Sequence, residues 1–329
     1  MVRSRNVLVA AAACLLALFA QPPEAAAQTP ASYVVWQWNV AGNAMNKDST
    51  TNGMTEAAAA SIVNHHVDFA SFNELCHDQF DDLITRLRAA GWPQDNANFA
   101  RWAPALLTGQ GACNGGEFGN AIFSRQPMGE ADRIPLGDDG TTEHRNMLCD
   151  HLLSAPHMRF CTTHISYREV PGGRTDQLAA ALSKMEQYNA AGDTVITAGD
   201  FNAQPDWGRM DAYYSSSVNT PANGRNTGHY HELDDTNPAC PGVGIATDYG
   251  ATGGAACGNP PKIDFIFVRE DRIAPGTTYS AEVIGPGPCE NTTTSGISCG
   301  ARLPESLPKC GPAYCSDHSI LIGRVTVLQ

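Results

Sequence analysis

Residues 175–202 constrain the fold more than any other stretch of the chain. Leu178, Ala181, Leu182 and Met185 recur at helical spacing, and Gly192 closes that segment. It leads directly into Thr194-Val-Ile-Thr-Ala-Gly-Asp200-Phe-Asn202, an apolar strand with a polar end. Strand side chains repeat every two residues, so Asp200 and Asn202 are expected on one side of a sheet edge. Any strand-to-loop exit favours Asp and Asn, so this segment alone does not define a site. A second polar strand entrance, Ser316-Asp317-His318-Ser319, opens the apolar run from Ile320 to Leu328. Two strand ends carrying Asp, Asn and His point to one composite site assembled by the fold.

The remaining pattern fits around that unit. Strands are expected over 33–39, 67–73, 119–124, 145–153, 159–165 and 262–268, and helices over 55–65 and 78–90. In the second helix Phe80, Leu83, Ile84 and Leu87 share one face, and Gly91 lies beyond its end. Strands interleaved with helices and with hairpin-like strand pairs indicate a layered α/β fold with a mixed sheet. Regions 236–260 and 285–315 are rich in Gly, Pro and Cys and read as long loops held by disulfides. No linker or repeat divides residues 28–329, so a single domain is expected.

The N-terminus reads as a secretory signal. Arg3 and Arg5 precede an apolar stretch over 7–20, and Ala25-Ala26-Ala27 supplies a small-residue cleavage site. Residues 1–27 are therefore expected to be removed near Ala27, giving a secreted protein without stable membrane insertion, since the stretch is short for a span. Cys14 leaves with the signal, so ten of the 11 cysteines remain, an even number in an exported chain. Spacing alone does not fix connectivity. Local pairing gives Cys76–Cys113, Cys149–Cys161, Cys240–Cys257, Cys289–Cys299 and Cys310–Cys315. No Cys-x-x-Cys pair supports a zinc site.

The whole chain carries a formal charge of −13. Removing Arg3, Arg5 and Glu24 leaves 19 basic and 33 acidic groups, a net charge of −14. Such acidity argues against loose, charge-driven adhesion to nucleic acid or anionic lipid. A phosphate substrate remains compatible, because a divalent cation inverts the local field. Glu74, Asp200 and Asp317 supply oxygen for a hard cation. His164 and His318 supply groups that exchange protons near neutral pH, and Asp264 interrupts an apolar run, where a carboxylate needs a partner. His65-His66 and His229-Tyr-His231 read instead as a helix end and a loop. Asn291-Thr-Thr is an N-glycosylation pattern.

Seven pieces occur in order: Trp38-Asn-Val-Ala-Gly42, Phe72-Asn-Glu-Leu75, Asn120-Ala-Ile-Phe-Ser-Arg125, Thr163-His-Ile165, Gly199-Asp-Phe-Asn202, Ile263-Asp-Phe-Ile266 and Ser316-Asp-His318. In this the chain resembles the endonuclease/exonuclease/phosphatase superfamily, with its DNase I-like fold. The resemblance implies a four-layer α/β/β/α sandwich of two mixed β-sheets flanked by helices, with the site at one end. It makes Glu74 the main metal-binding carboxylate, with Asn39 beside it positioning metal or phosphate and Asp317 completing the acidic cluster. It makes His318 the general base and Asp264 the group that orients its imidazole. Asp200 and Asn202 would contact the nucleophile and phosphoryl oxygens, His164 would donate to the phosphate or assist the leaving oxygen, and Arg145 would contact phosphate. Two positions depart from the family pattern. Asn73 stands where the family usually has Gln, which would leave a supporting contact unmade. The Glu that orients the equivalent of His164 is matched only loosely, by Glu117.

The reaction implied is metal-dependent hydrolysis of a phosphate ester by in-line attack of water, with Mg²⁺ as cofactor and Mn²⁺ or Ca²⁺ as alternatives. The leading substrate expectation is DNA, cleaved by a monomeric secreted nuclease. A lipid or small-molecule phosphodiesterase or phosphatase, sphingomyelinase-like or acting on inositol phosphates, is the alternative. The third class is a non-catalytic secreted binding protein, which would have no chemical need for this residue set.

Overall fold

The computed structural model describes residues 29–93, 99–248, 257, 261–284, 289–292, 296–299 and 315–329. Along the chain these form β1 (Pro30–Asn39), α1 (Met54–Asn64), β2 (Phe69–Cys76), α2 (His77–Ala89), β3 (Ala100–Leu106), β4 (Phe118–Ser124), β5 (Asp132–Gly137), β6 (Arg145–His151) and β7 (Met158–His164). Then come α3 (Arg174–Ala190), β8 (Thr194–Asp200), β9 (Tyr230–Glu232), β10 (Asp264–Arg269), β11 (Ser280–Ile284), β12 (Cys289–Thr292), β13 (Gly296–Cys299) and β14 (Ile320–Leu328). One six-stranded sheet has the order β11-β14-β1-β2-β4-β3 and the other β5-β6-β7-β8-β10-β9. Both are mixed: β1 pairs parallel with β2 and β7 parallel with β8, while their other pairings are antiparallel.

Side-chain alternation builds the four layers. On β1, Tyr33 and Val35 point between the sheets, while Trp36 and Trp38 point outward. The outward face meets Met54, Ala58 and Ile62 of α1 and Phe80, Leu83 and Leu87 of α2. On the other sheet Val195, Phe265 and Phe267 face outward onto Leu178, Ala181 and Met185 of α3. Between the sheets lie Val35, Phe69, Phe160, Ile196, Ile266 and Val325, all essentially inaccessible. Each such side chain contributes about 1.5–3 kcal/mol relative to exposure. The expected α/β/β/α sandwich is the observed fold.

The inner layer changes character along its length. Following alternate residues, β1 runs Val35, Gln37, Asn39; β2 runs Phe69, Ser71, Asn73; β7 runs Phe160, Thr162, His164. β8 runs Ile196, Ala198, Asp200, and antiparallel β10 runs back through Val268, Ile266, Asp264. Apolar side chains thus grade through neutral polar ones to ionisable groups at one end. Gly199 makes the last step of β8 feasible: its φ is +152°, and a Cβ there would overlap the Thr163 carbonyl oxygen.

Four strands escaped the sequence pattern: β3, β5, β9 and β11. These are the four outer strands of the two sheets. Edge strands are short or polar and tolerate proline, as β3 does with Pro104 and β5 with Pro135, so they lack the apolar period. Within the expected loop 285–315, β12 and β13 form a two-stranded hairpin, while most of the remainder lies outside the described residues.

Three disulfides match the local pairing, Cys76–Cys113, Cys149–Cys161 and Cys240–Cys257. Cys289 and Cys299 are directly opposed in the β12–β13 register. Cys315 is disulfide-bonded, and its expected partner Cys310 lies outside the described residues. Bridges of this number fit an oxidising environment. Among the described residues no helix is long and apolar enough to cross a membrane. The expected signal at 1–27 also lies outside them.

Beneath the site end, Lys262 is fully buried with its Nζ 3.3 Å from Glu232 Oε1 and 4.0 Å from Asp234 Oδ2. Burial pushes the Glu232 carboxyl up to about 8, against the pull of Lys262, and burial pushes Asp235 up to about 7. Both acids therefore hold a proton in the folded state that the unfolded chain has released, and their contribution to stability falls as pH rises through that window. Urea unfolding at pH 5 and pH 8 should show a stability loss at the higher pH that shrinks in Glu232→Gln. An equal loss in the variant would assign the slope to other groups.

Candidate active site

The polar end of the inner layer collects strand termini from both sheets. Glu74 lies in a β-bulge, where the pairing of β2 with β4 shifts between Phe72 and Leu75. Its φ is +57°, a conformation that costs a non-glycine residue energy and re-aims the side chain. Gly42 holds the bulge by donating its N–H to the Glu74 carbonyl at 2.8 Å, an approach that a Cβ at Gly42 would obstruct.

Asn39 joins the two halves of the site. Its Oδ1 accepts from the Ala41 N–H at 3.1 Å, which turns its amide nitrogen toward the carboxylates. That nitrogen donates to Glu74 Oε1 at 3.1 Å and to Asp200 Oδ2 at 3.0 Å. Asn39 therefore enters as a donor that spaces two carboxylates, with its oxygen committed to the backbone. Asp200 and Asn202 are linked by an Asx turn, Asn202 N to Asp200 Oδ1 at 2.9 Å, with Asn202 at φ +48°.

His318 and Asp264 meet across the sandwich, Nδ1 to Oδ2 at 2.8 Å. The His318 backbone is pinned: its N–H donates to Ser316 Oγ at 3.0 Å and its carbonyl accepts from Trp38 Nε1 at 2.8 Å. Thr247 braces both partners. Its Oγ1 accepts from the Asp264 N–H at 3.0 Å and its carbonyl from the Ser319 N–H at 2.7 Å. Burial opposes protonation of His318, but Asp264, with Asp200 and Asp317, holds its imidazole well above the ordinary histidine range. Asp200 is itself pushed up by burial and by the charge of Asp264.

His164 is in a contrasting state. Burial, then the charges of Arg145 and His318, hold it well below the ordinary range, so its ring is neutral. Asn202 Nδ2 donates to the Ile165 carbonyl at 2.9 Å and lies 3.3 Å from His164 Nε2. His164 Nε2 also faces Asp200 Oδ2 at 3.5 Å and Glu74 Oε1 at 3.9 Å. The carboxylate beside Nδ1 is Glu143, at 3.6 Å. Glu117 is corrected accordingly, since its carboxylate accepts from Trp102 Nε1 at 2.9 Å on another strand pair.

Glu143 also accepts from Arg145 Nη2 at 2.9 Å, and burial pushes its carboxyl up to about 7. Arg145 is buried, yet its Nε and Nη1 have no hydrogen-bond partner. Asn73 is hydrogen-bonded through both ends of its amide despite its shorter side chain. Its Oδ1 accepts from Gln37 Nε2 at 2.8 Å and the Asp200 N–H at 2.9 Å. Its Nδ2 donates to Asn120 Oδ1 at 2.9 Å and the Thr163 carbonyl at 3.1 Å. Gln37 supplies the missing length by reaching onward to Asp264 Oδ1 at 3.2 Å.

Two clusters bring metal-type donors within 4.8 Å of one another: Asp200, Asp264 and His318; and Asp248, Asp317 and His318. Glu74 is pushed up by burial first, with Asp317 adding like charge. Gln37, Glu143, Thr247 and Asp248 were missed in the sequence. Gln37 lies two residues before Asn39 on β1, the spacing that places strand neighbours on one face.

The family model for the endonuclease/exonuclease/phosphatase family matches residues 36–318. Among solved structures, the human Nocturnin catalytic domain with bound sulfate is 17% identical, with TM-score 0.58, covering 91% of this chain and 97% of that one. Caenorhabditis elegans TDP2 in truncated form is 15% identical, with TM-score 0.54 and coverages of 89% and 97%. A mannosyl-6-phosphatase from Bacteroides thetaiotaomicron is 13% identical, with TM-score 0.56 and coverages of 90% and 100%. At these identities the likeness is one of fold. No curated protein matches the chain. A family match that starts in β1 and ends at His318 reaches strands of both sheets and every strand end of the site, and the chain belongs to the endonuclease/exonuclease/phosphatase family.

Proposed function

We propose that the chain is a secreted, divalent-metal-dependent phosphodiesterase that hydrolyses nucleic acid, with DNA as its principal substrate. The observation that carries this reading is Arg145, a buried guanidinium with two unpartnered donors beside His164 and Glu143. Unmet buried donors are costly, and a phosphate oxygen answers both charge and geometry. Membership of a family of phosphoester hydrolases supplies the reaction class, and the disulfides favour export.

His318 is the base that takes a proton from water, and Asp264 fixes its ring and stabilises the imidazolium. Asp200, held by the Asn39 amide, orients the attacking oxygen from the opposite wall. Arg145 binds phosphoryl oxygens, and the Ile165 carbonyl holds the Asn202 amide beside His164. The donor set fits a hard cation: Glu74 and Asp317 are oxygen ligands whose mutual repulsion a divalent ion would relieve. Bound there, Mg²⁺ would neutralise charge developing on the phosphate.

Purified protein should nick supercoiled DNA with Mg²⁺ and leave sphingomyelin and inositol phosphates intact. Choline-phosphate release without nicking would replace the nuclease with a lipid phosphodiesterase. Arg145→Ala should lower kcat/KM on DNA by about 10–100-fold, the loss of charge-assisted hydrogen bonds to phosphate. A change of less than twofold would remove Arg145 from the phosphate site.

A further inference from the structure

Tyr167 has the greatest exposure of the large apolar side chains, at 62%, and it follows His164 by three residues. Scattered exposed aromatics are ordinary, but this one is displayed from a backbone held on both sides. Ser166 is fully buried, its N–H bonded to Gln177 Oε1 at 2.8 Å and its hydroxyl to Asp139 Oδ2 at 2.5 Å. The Arg168 N–H donates to Ser166 Oγ at 3.0 Å, and its guanidinium to the Asp139 carbonyl at 2.8 Å. The Tyr167 carbonyl accepts from Arg174. Three extended residues span at most about 11 Å, which bounds the distance from the Tyr167 backbone to that of His164 and keeps the side chain in reach of a nucleotide next to the phosphate.

Guanidinium groups and carboxylates alternate around the loop, with Arg209 paired to Glu169. Arg174 lies over the Trp207 ring at 5.0 Å, Arg209 lies over the same ring at 5.1 Å, and Arg174 is close enough to Asp200 to feel its charge. An aromatic face on a rigid loop, rimmed by guanidinium groups and next to a phosphate site, suits an unpaired nucleobase with its backbone phosphate.

We propose that Tyr167 is a stacking platform for a base flanking the cleaved bond, which makes single-stranded or locally unpaired nucleic acid the preferred substrate. This rests on the nuclease reading above. The platform holds a face and makes no base-specific hydrogen bond, so it selects for an unstacked base rather than for sequence.

The test compares kcat/KM for a single-stranded oligonucleotide with that for the same oligonucleotide carrying abasic sites on both sides of the cleaved bond, in Mg²⁺. Wild type should prefer the base-bearing strand by about 5–100-fold. Tyr167→Ala should abolish that preference while leaving cleavage of the abasic strand unchanged, and Tyr167→Phe should retain it. DNA cleavage with the preference intact in Tyr167→Ala would overturn the platform alone. Failure of wild type to cleave any polynucleotide, with hydrolysis of a phospholipid or sugar phosphate, would overturn the nuclease reading and the platform together.

Discussion

Replacing His318 with Ala should lower kcat by about 10²–10⁴-fold, and it should also lower the unfolding midpoint, because Asp264 is left buried without its partner. The His318 imidazole is fixed through Nδ1 by a buried carboxylate, Asp264, at 2.8 Å, which orients the ring and stabilises the imidazolium that forms. Asp264→Asn should also cost turnover, because an amide at that position cannot stabilise the imidazolium. It can still accept from Gln37, so KM should move far less than kcat. Steady-state kinetics on one DNA substrate separates the two effects. A purified, folded His318→Ala enzyme retaining a tenth of wild-type kcat would place the base elsewhere.

The largest stability effect is expected from Lys262→Ala. This ammonium is the single cation at 0% exposure facing Glu232 and Asp234, and Asp235 lies in the same buried group. Removing one partner of a buried ion pair typically costs about 3–5 kcal/mol, and the loss should be full above pH 8, where Glu232 has released the proton that burial leaves on it at neutral pH. Urea denaturation should show that loss for Lys262→Ala. The double variant Lys262→Met with Glu232→Gln should recover most of it, because methionine refills the volume and the amide removes the charge. A loss below about 1 kcal/mol in Lys262→Ala would mean that the carboxylates are already neutral or paired by other groups.

Much of this molecule is legible in its residues, for a physical reason. Central strands buried on both faces show continuous apolar runs, as in 194–198 and 320–322, and their catalytic ends interrupt those runs conspicuously. Edge strands β3, β5, β9 and β11 carry no such signal, because solvent rather than packing dictates half of each. The site divides along the same line. Residues within family motifs, such as Glu74 and His318, are visible as motifs. Residues recruited by three-dimensional proximity are not. Glu143 reaches His164 from the loop between β5 and β6, while Glu117, the linear candidate, is taken up by Trp102. Asn73 shows the same limit: a shortened side chain looked like a lost contact, and Gln37 on the neighbouring strand had supplied the reach.

The graded inner layer carries one further implication. Asn39, Asn73, Glu74 and His318 belong to one sheet; His164, Asp200 and Asp264 belong to the other. Neither sheet alone holds a working set of groups, so the chemistry exists only in the gap and is tuned by its width. The apolar stretch of Val35, Phe160 and Ile196 is then a spacer as well as a core, setting how far apart the two walls stand where water and phosphate must meet. A family built this way can exchange its loops freely and thereby its substrates, while the calibration of the reaction stays sealed in the part of the sandwich that no substrate touches.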